Sequence, residues 1–173
     1  MTWWKKALYD TCSLITLDKL FLEQIELAEH FPITILALEE SFLADQLRDD
    51  TAQRMRPRVT ICSLPPPEDL ARLLASPQLS KSLATIDTLI YATAVHGNFA
   101  VVTADKQLAK VVRLENIKVG NMAIILRELV SKKMLTVKSC ERLLQGLASR
   151  KDFLLGISTP TWRDLQKYSF PDK

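Results

Sequence analysis

The stretch LSKSLATIDTLIYATAVHGNFAVVTADKQLAKVV, residues 79–112, predicts a helix, a turn and a strand in direct succession. Its first half has apolar residues at the spacing of an amphipathic helix, namely Leu83, Ile86, Leu89, Ile90 and Ala94. His96-Gly97 is typical of a helix end, where Gly97 can adopt the left-handed conformation of a cap. The run from Phe99 to Thr103 is typical of a strand buried on both faces. Open α/β sheets bind their ligands where such strands end beside helix starts.

Outward from this stretch, apolar runs and helical patterns alternate up to Gly120. We predict four further strands, at residues 7–9, 33–36, 59–62 and, at an edge, 117–119. Helices are predicted over 20–28 (closed by Pro32), 37–43 and 68–75, a polar turn at 11–13, and a loop or frayed helix end at 48–58. Because parallel strands need crossover connections, this order predicts a parallel sheet wrapped by helices.

The pattern changes after Gly120, where residues 122–131, 137–150 and 152–156 are predicted as helices and a tail closes the chain. We therefore predict two parts. Residues 1–120 form the α/β domain, and residues 121–173 form a helical extension that packs on the same domain or on a partner.

Composition bounds the class of protein. The chain has 173 residues, of which 47% are hydrophobic and four are glycine, so it can bury a substantial core as one domain. No apolar run reaches the roughly 18 residues of a membrane helix, and the first ten residues lack a secretory signal. Three widely spaced cysteines argue against a disulfide framework or structural zinc, so we expect a cytoplasmic protein with no membrane contact. The net charge of +3 is compatible with a polyanionic partner but does not demonstrate one.

Four carboxylates stand out by position: Asp10 at a strand end, Glu40 on the helix after the second strand, Asp87 in the central helix, and Asp105 after the fourth strand. Clustered carboxylates are the ligands that Mg²⁺ and Mn²⁺ prefer. A metal held in this way can bind phosphate oxygens and activate water. This pattern points to phosphodiester chemistry that needs no histidine or serine nucleophile.

Each acid also has a purely structural interpretation. Asp10 and Asp105 are both suited to cap a helix, and Glu40 could be a solvated helix carboxylate. Asp87 is the hardest to explain in this way, because its neighbours are largely apolar or small. Cys12 lies near the predicted site, where a small packed residue is the simplest interpretation.

The densest basic group is formed by Arg54, Arg56 and Arg58. A solvated loop is the default explanation for such a group. If RNA binds, these side chains would contact its backbone, and that contact would be sensitive to salt.

The acids lie within motifs that resemble those of the PIN-domain family. The motifs are YDTCSL at residues 9–14, LEE at 38–40, IDTLIYATA at 86–94 and VVTADKQL at 101–108, and the resemblance covers about residues 6–120. It implies a three-layer α/β/α sandwich with a small parallel sheet. It also implies an Mg²⁺- or Mn²⁺-dependent ribonuclease, a class that includes the toxins of bacterial VapC-type toxin–antitoxin pairs. RNA as substrate, an antitoxin protein as partner and a homodimer are expected from the same resemblance.

The resemblance assigns roles residue by residue. It makes Asp10, Glu40, Asp87 and Asp105 the catalytic metal ligands, with Ser13 and Thr103 as supporting residues. Glu39 stays an alternative to Glu40, because adjacent helical residues point about 100° apart and only one can face the site. No further acid follows Asp105, which leaves open whether one or two metal ions bind. The rival hypothesis is a non-catalytic PIN-like module that binds RNA or protein.

Overall fold

The computed structural model describes residues 2–31, 35–44, 46–79 and 83–170. Five short parallel strands form one sheet: β1 Ala7–Tyr9, β2 Ile35–Ala37, β3 Val59–Ile61, β4 Ala100–Val102 and β5 Val119–Gly120. Their order across the sheet is β3-β2-β1-β4-β5. The strands lie where the apolar runs predicted them, although residues 32–34 lie outside the described ranges.

Helices make up most of the remaining chain. The α-helices are α1 Thr11–Glu23, α2 Asp49–Met55, α3 Pro67–Leu74, α4 Thr85–Gly97, α5 Lys106–Leu114, α6 Met122–Ser131, α7 Val137–Ser149 and α8 Trp162–Lys167. Short 3₁₀ helices cover Trp3–Lys6, Ile25–His30, Glu39–Phe42 and Arg56–Arg58. None of the helices in the described ranges combines the length and the apolar character needed to cross a membrane.

The helices cover both faces of the sheet and create two cores. One core joins Tyr9 and Val102 of the sheet to α1, α6, α7 and α8. The other joins Leu8 and Val101 to α3, α4 and α5. Neighbouring residues of β1 and β4 thus point into opposite cores, as the fully apolar run of β4 predicts. The predicted α/β/α sandwich is confirmed.

The helices after Gly120 share a core with the first helix of the chain. Leu126 of α6 and Leu143 of α7 are fully buried together with Leu14 and Leu17 of α1. Burying a leucine side chain contributes about 1.5–3 kcal/mol, so this contact stabilises both segments. The division into residues 1–120 and 121–173 stays a prediction.

Two helix ends differ from the sequence predictions. The polar turn predicted at 11–13 is wrong, because Asp10 accepts a hydrogen bond from the backbone N–H of Ser13 and starts α1 at Thr11. At the end of α4 the left-handed residue is Asn98 (φ 49°), not Gly97. Gly97 serves a different need, since a Cβ there would collide with the Phe99 ring. A glycine therefore leaves room for this ring against the helix end.

Two other segments also differ. Residues 48–58, predicted as a loop or a frayed end, form α2 and a 3₁₀ turn, because Arg54 of α2 is tied to Asp18 of α1. Residues 152–156 are not helical, whereas the tail contains α8 with a capping box between Thr161 and Asp164. The segment predicted as a helix over 37–43 is a 3₁₀ turn.

Candidate active site

The sheet order brings Asp10 and Asp105 to the same edge. β1 and β4 are neighbours, with Tyr9 opposite Val102, so the chain after each strand leaves side by side. The connections then diverge, because β2 and β3 lie on one side of β1 while β4 and β5 lie on the other. Ligands of open α/β sheets bind at such a switch point, outside the carboxyl ends of the strands.

Asp10 is held in place by hydrogen bonds on both carboxylate oxygens. Its Oδ1 accepts from the backbone N–H of Ser13 at 2.7 Å, and its Oδ2 accepts from the hydroxyl of Thr103. Its own backbone N–H donates to the carbonyl of Val102 on the neighbouring strand at 3.1 Å. Asp10 is only 3% exposed. Its carboxylate therefore has a fixed position rather than a choice of rotamers.

Thr103 and Ser13, the two predicted supporting residues, both connect β4 to the start of α1. The Thr103 hydroxyl accepts from the backbone N–H of Asp105 at 2.9 Å while it donates to Asp10. The Ser13 hydroxyl donates to the carbonyl of Val102 at 3.0 Å. Asp105 caps α5, since its Oδ1 accepts from the backbone N–H of Leu108 at 2.7 Å. The structural interpretation of Asp10 and Asp105 as helix caps is thus correct, and it leaves carboxylate lone pairs for another ligand.

Asp87 reaches the same place from a different element. It lies in the first turn of α4, and α4 runs back across the sheet before β4, so its first turn lies at the carboxyl edge. A cavity of about 290 Å³ is lined there by the carboxylates of Asp10, Asp87 and Asp105. The remaining lining residues are Thr11, Cys12, Ala44, Gln46, Ala84 and Ile86. We call this space the acidic cavity.

The acids of the acidic cavity influence one another electrostatically. Burial raises the pKa of Asp10, hydrogen bonds from Ser13 and Thr103 oppose that rise, and the charge of Asp105 adds to it. Burial, followed by the charges of Asp10 and Asp105, raises the pKa of Asp87 from 3.8 to about 6. The charge of Asp105 therefore disfavours ionisation of Asp10 and Asp87, and the charge of Asp10 also disfavours ionisation of Asp87.

The carboxylates of the acidic cavity also act electrostatically on Cys12. Burial and the charges of Asp10, Asp87 and Asp105 raise the pKa of its thiol to about 11, with a smaller contribution from Asp152. The thiol is therefore protonated at neutral pH and a poor nucleophile. The Cys12 residue is exposed, so the expectation of a small packed residue is wrong. Its Sγ contacts Oε1 of Gln46 at 3.9 Å.

Glu40 is not among the described residues that line the acidic cavity. The 3₁₀ turn that carries it lies nearby, because the carbonyl of Ser41 accepts from the Thr11 hydroxyl at 3.1 Å. Glu39 points elsewhere and binds Arg56 at 2.5 Å, on an exposed surface. The choice of Glu40 over Glu39 as a ligand stays a prediction.

The donor set suits a hard divalent cation, because every carboxylate of the acidic cavity offers oxygen. Among the described residues, however, no three His, Cys, Asp or Glu side chains lie close enough together to bind a metal ion as they stand. Mutual repulsion of carboxylates is consistent with that separation. The oxygen donors therefore fit a hard divalent cation by type, while the described side chains do not surround a common point.

The predicted basic group is largely occupied by other contacts. Arg54 donates from Nε and Nη2 to the buried carboxylate of Asp18 at 2.9 and 2.7 Å. Arg56, besides its pair with Glu39, lies over the ring of Phe42 at 4.7 Å. Arg58 lies over the ring of Phe21 at 5.2 Å. RNA contact by Arg54, Arg56 and Arg58 stays a prediction.

Sequence reasoning missed two contributors to the site. Gln46 lines the acidic cavity from the loop before α2, and no periodicity or motif singles it out. Asp152, 140 residues beyond Cys12 in the chain, acts on the Cys12 thiol through space. Its carboxylate accepts from the Thr16 hydroxyl at 2.9 Å and binds Lys19 at 3.1 Å. Only the docking of the C-terminal helices on α1 could reveal this.

Comparison with known proteins supplies independent information. The PIN domain family model matches residues 14–114, which is more than half of the chain. The matched range contains Glu40, Asp87, Thr103 and Asp105, whereas Asp10 precedes it by four residues. No curated protein and no solved structure matches the chain. From the family match and the parallel α/β/α sheet together, we conclude that this chain belongs to the PIN-domain family.

Proposed function

We propose that the chain is a divalent-metal-dependent ribonuclease that hydrolyses RNA phosphodiester bonds. The observation that carries the proposal is the acidic cavity, where Asp10, Asp87 and Asp105 line one space at the switch point of the sheet. PIN domains as a class are nucleases, which supports hydrolysis of a nucleic acid. A cavity in which burial and neighbouring carboxylates raise the pKa values of Asp10 and Asp87 is also hard to explain by stability alone.

Asp10, Asp87 and Asp105 would hold the metal, with Glu40 as a further ligand from the neighbouring 3₁₀ turn. A bound Mg²⁺ or Mn²⁺ supplies a Lewis acid for the phosphate oxygens and lowers the pKa of water. The chain's own residues prepare the site. Thr103 and Ser13 fix the carboxylate of Asp10, and the N-terminus of α5 lies beside the cavity, where it favours negative charge such as phosphate.

The toxin of a toxin–antitoxin pair is the more specific form of this proposal. The antitoxin would cover the acidic cavity, with an arginine as the natural counter-charge for its carboxylates. A homodimer and a cytoplasmic location belong to the same proposal. The location is supported by Cys12, Cys62 and Cys140, which all carry free thiols.

A second candidate is a non-catalytic PIN module that binds RNA or protein. Two observations favour it: the described residues hold no ready-made metal cluster, and Glu40 does not line the acidic cavity. Against it, an adaptor gains nothing from the raised pKa of Asp87.

Cleavage of a labelled single-stranded RNA with Mn²⁺, with Mg²⁺ and with EDTA tests the proposal. We expect metal-dependent cleavage by the native chain and none by D10N or D105N. Asparagine is also a good N-cap, so these variants retain the helix starts. D69N, on the exposed surface beside Arg72, is the matched control and should remain active.

Calorimetry with Mn²⁺ separates the two candidates. Binding by the native chain that D10N abolishes supports the nuclease. RNA binding without Mn²⁺ binding, or full activity of D10N and D105N, would replace the nuclease with the non-catalytic module.

A further inference from the structure

A second cavity adjoins the acidic cavity. It has a volume of about 560 Å³ and lies beyond the carboxyl ends of β4 and β5, where Ala104 and Asn121 line it. Its other wall comes from the C-terminal part of the chain, chiefly Phe153, Tyr168 and Phe170. We call it the aromatic cavity.

Two elements are shared between the cavities. Asp105 lines the acidic cavity, while its chain neighbours Ala104 and Lys106 line the aromatic cavity. On α1, Cys12 lines the acidic cavity and Thr16 lines the aromatic cavity. Helical residues four positions apart lie on the same face, with about 5–6 Å between their Cβ atoms. A linear ligand with its phosphate in the acidic cavity can therefore continue into the aromatic cavity.

The walls of the aromatic cavity are anchored by hydrogen bonds from distant residues. Arg127 donates to the carbonyl of Tyr168 at 2.7 Å, and Arg113 donates to the carbonyl of Phe170 at 2.8 Å. The Asn121 amide donates to the Tyr168 hydroxyl at 2.7 Å. On the opposite wall, the Asp152 carboxylate is held by α1. The cavity is therefore preformed and does not depend on a ligand to organise it.

Phe153 is the conspicuous side chain of this cavity. Its neighbours Leu154 and Leu155 pack against the core, whereas Phe153 is 51% exposed. The held carboxylate of Asp152 keeps its backbone in place. A half-exposed aromatic ring beside a phosphate site is a suitable platform for an unpaired base, because every base offers a π-face for stacking. A paired base is already stacked within its duplex and is not available to such a ring.

We propose that the aromatic cavity binds one unpaired base of the RNA next to the scissile phosphate, with Phe153 as its stacking partner. This inference rests on the proposed function for the identity of the neighbouring phosphate site. It gives the segments that follow α7 and α8 a role, since they build a subsite that the strands and their acids alone do not form.

Binding of single-stranded oligoribonucleotides, measured by fluorescence anisotropy with Mn²⁺, tests the proposal. D87N serves as the background so that the RNA is not cleaved. We expect F153A to weaken binding by about five-fold to 150-fold, the range for loss of one base–aromatic stack. F153W should restore binding. L114A removes a similarly exposed side chain at the far end of α5 and should change nothing.

Oligonucleotides with one abasic position each locate the subsite. One abasic position should weaken binding to D87N by a factor similar to that of F153A. The same abasic position should have no further effect on D87N/F153A, because the lost contact is shared. Unchanged binding by F153A, equal abasic losses with and without Phe153, or no RNA binding at all would each overturn the subsite.

The two proposals fail separately. Cleavage of RNA by the native chain without a Phe153-dependent abasic effect retains the nuclease and removes the subsite. A Phe153-dependent abasic effect without cleavage removes the nuclease and retains the aromatic cavity as the base-binding site of a non-catalytic RNA-binding module.

Discussion

Replacing Asp87 with asparagine is expected to stabilise the metal-free protein at neutral pH. The side chain keeps its size but loses a charge that burial and the charges of Asp10 and Asp105 disfavour. The pKa of Asp87 is raised from 3.8 to about 6 in the folded protein. The folded state therefore binds more protons than the unfolded state between those two values, and stability falls as the pH rises through them.

The pKa values set the size of the effect. A difference of about 2 in pKa corresponds to about 3 kcal/mol of folding free energy. Asp87 is only partly buried, and solvent screening reduces this figure, so we expect D87N to gain about 1–2 kcal/mol. The gain should be complete above about pH 6 and should vanish below about pH 4, where Asp87 is protonated in both states.

Urea denaturation of the native chain and D87N in EDTA, at several pH values between about 4 and 7.5, measures this gain. L114A, which removes an exposed uncharged side chain, is the control, and its stability difference should not vary with pH. A D87N variant that is less stable than the native chain at about pH 7.5, or a gain that persists at about pH 4, would refute the electrostatic argument. Mn²⁺ at about a hundred times its dissociation constant should add about 2.7 kcal/mol to the native chain and less to D87N.

Two further predictions follow from the contacts around the site. T103V removes the hydroxyl that donates to Asp10 and accepts from the Asp105 backbone. We therefore expect the free energy of unfolding by urea to fall by about 1–3 kcal/mol. An unchanged urea midpoint would show that this hydroxyl does not hold the site together. R54A should lower the urea midpoint more than R56A. The first variant leaves the 5% exposed Asp18 carboxylate without its bidentate partner, whereas Arg56 and its partner Glu39 are both exposed. Equal urea midpoints of the two variants would contradict this argument.

Local sequence signals account for much of the fold. The apolar runs at β1, β3 and β4 and the helical spacing in α4 could be recognised without the structure, because burial on one or both faces leaves a periodic pattern. The prediction of a turn at residues 11–13 was wrong for a local reason. Thr, Cys and Ser are weak helix formers, and only the hydrogen bond from the Ser13 backbone to Asp10 shows that a helix begins there.

The candidate site was predictable only in part. Asp10 and Asp105 follow strands, and parallel strands end at one edge, so their proximity could be expected once the strands were identified. The choice between Glu40 and Glu39 could not be predicted, because both lie in a 3₁₀ turn. The direction of this turn depends on the contact between Thr11 and Ser41. Periodicity has no information about such a turn.

By itself, the sequence determined the strands, the central helix α4 and the acids that follow β1 and β4, since these depend on neighbours a few residues away. Only the tertiary structure decided that Asp87 joins Asp10 and Asp105 in the acidic cavity, and that Asp152 and Phe153, from the segment between α7 and α8, line the neighbouring aromatic cavity. Those contacts span up to 136 residues, as between Thr16 and Asp152. They depend on how two cores pack around one sheet, which no local pattern records.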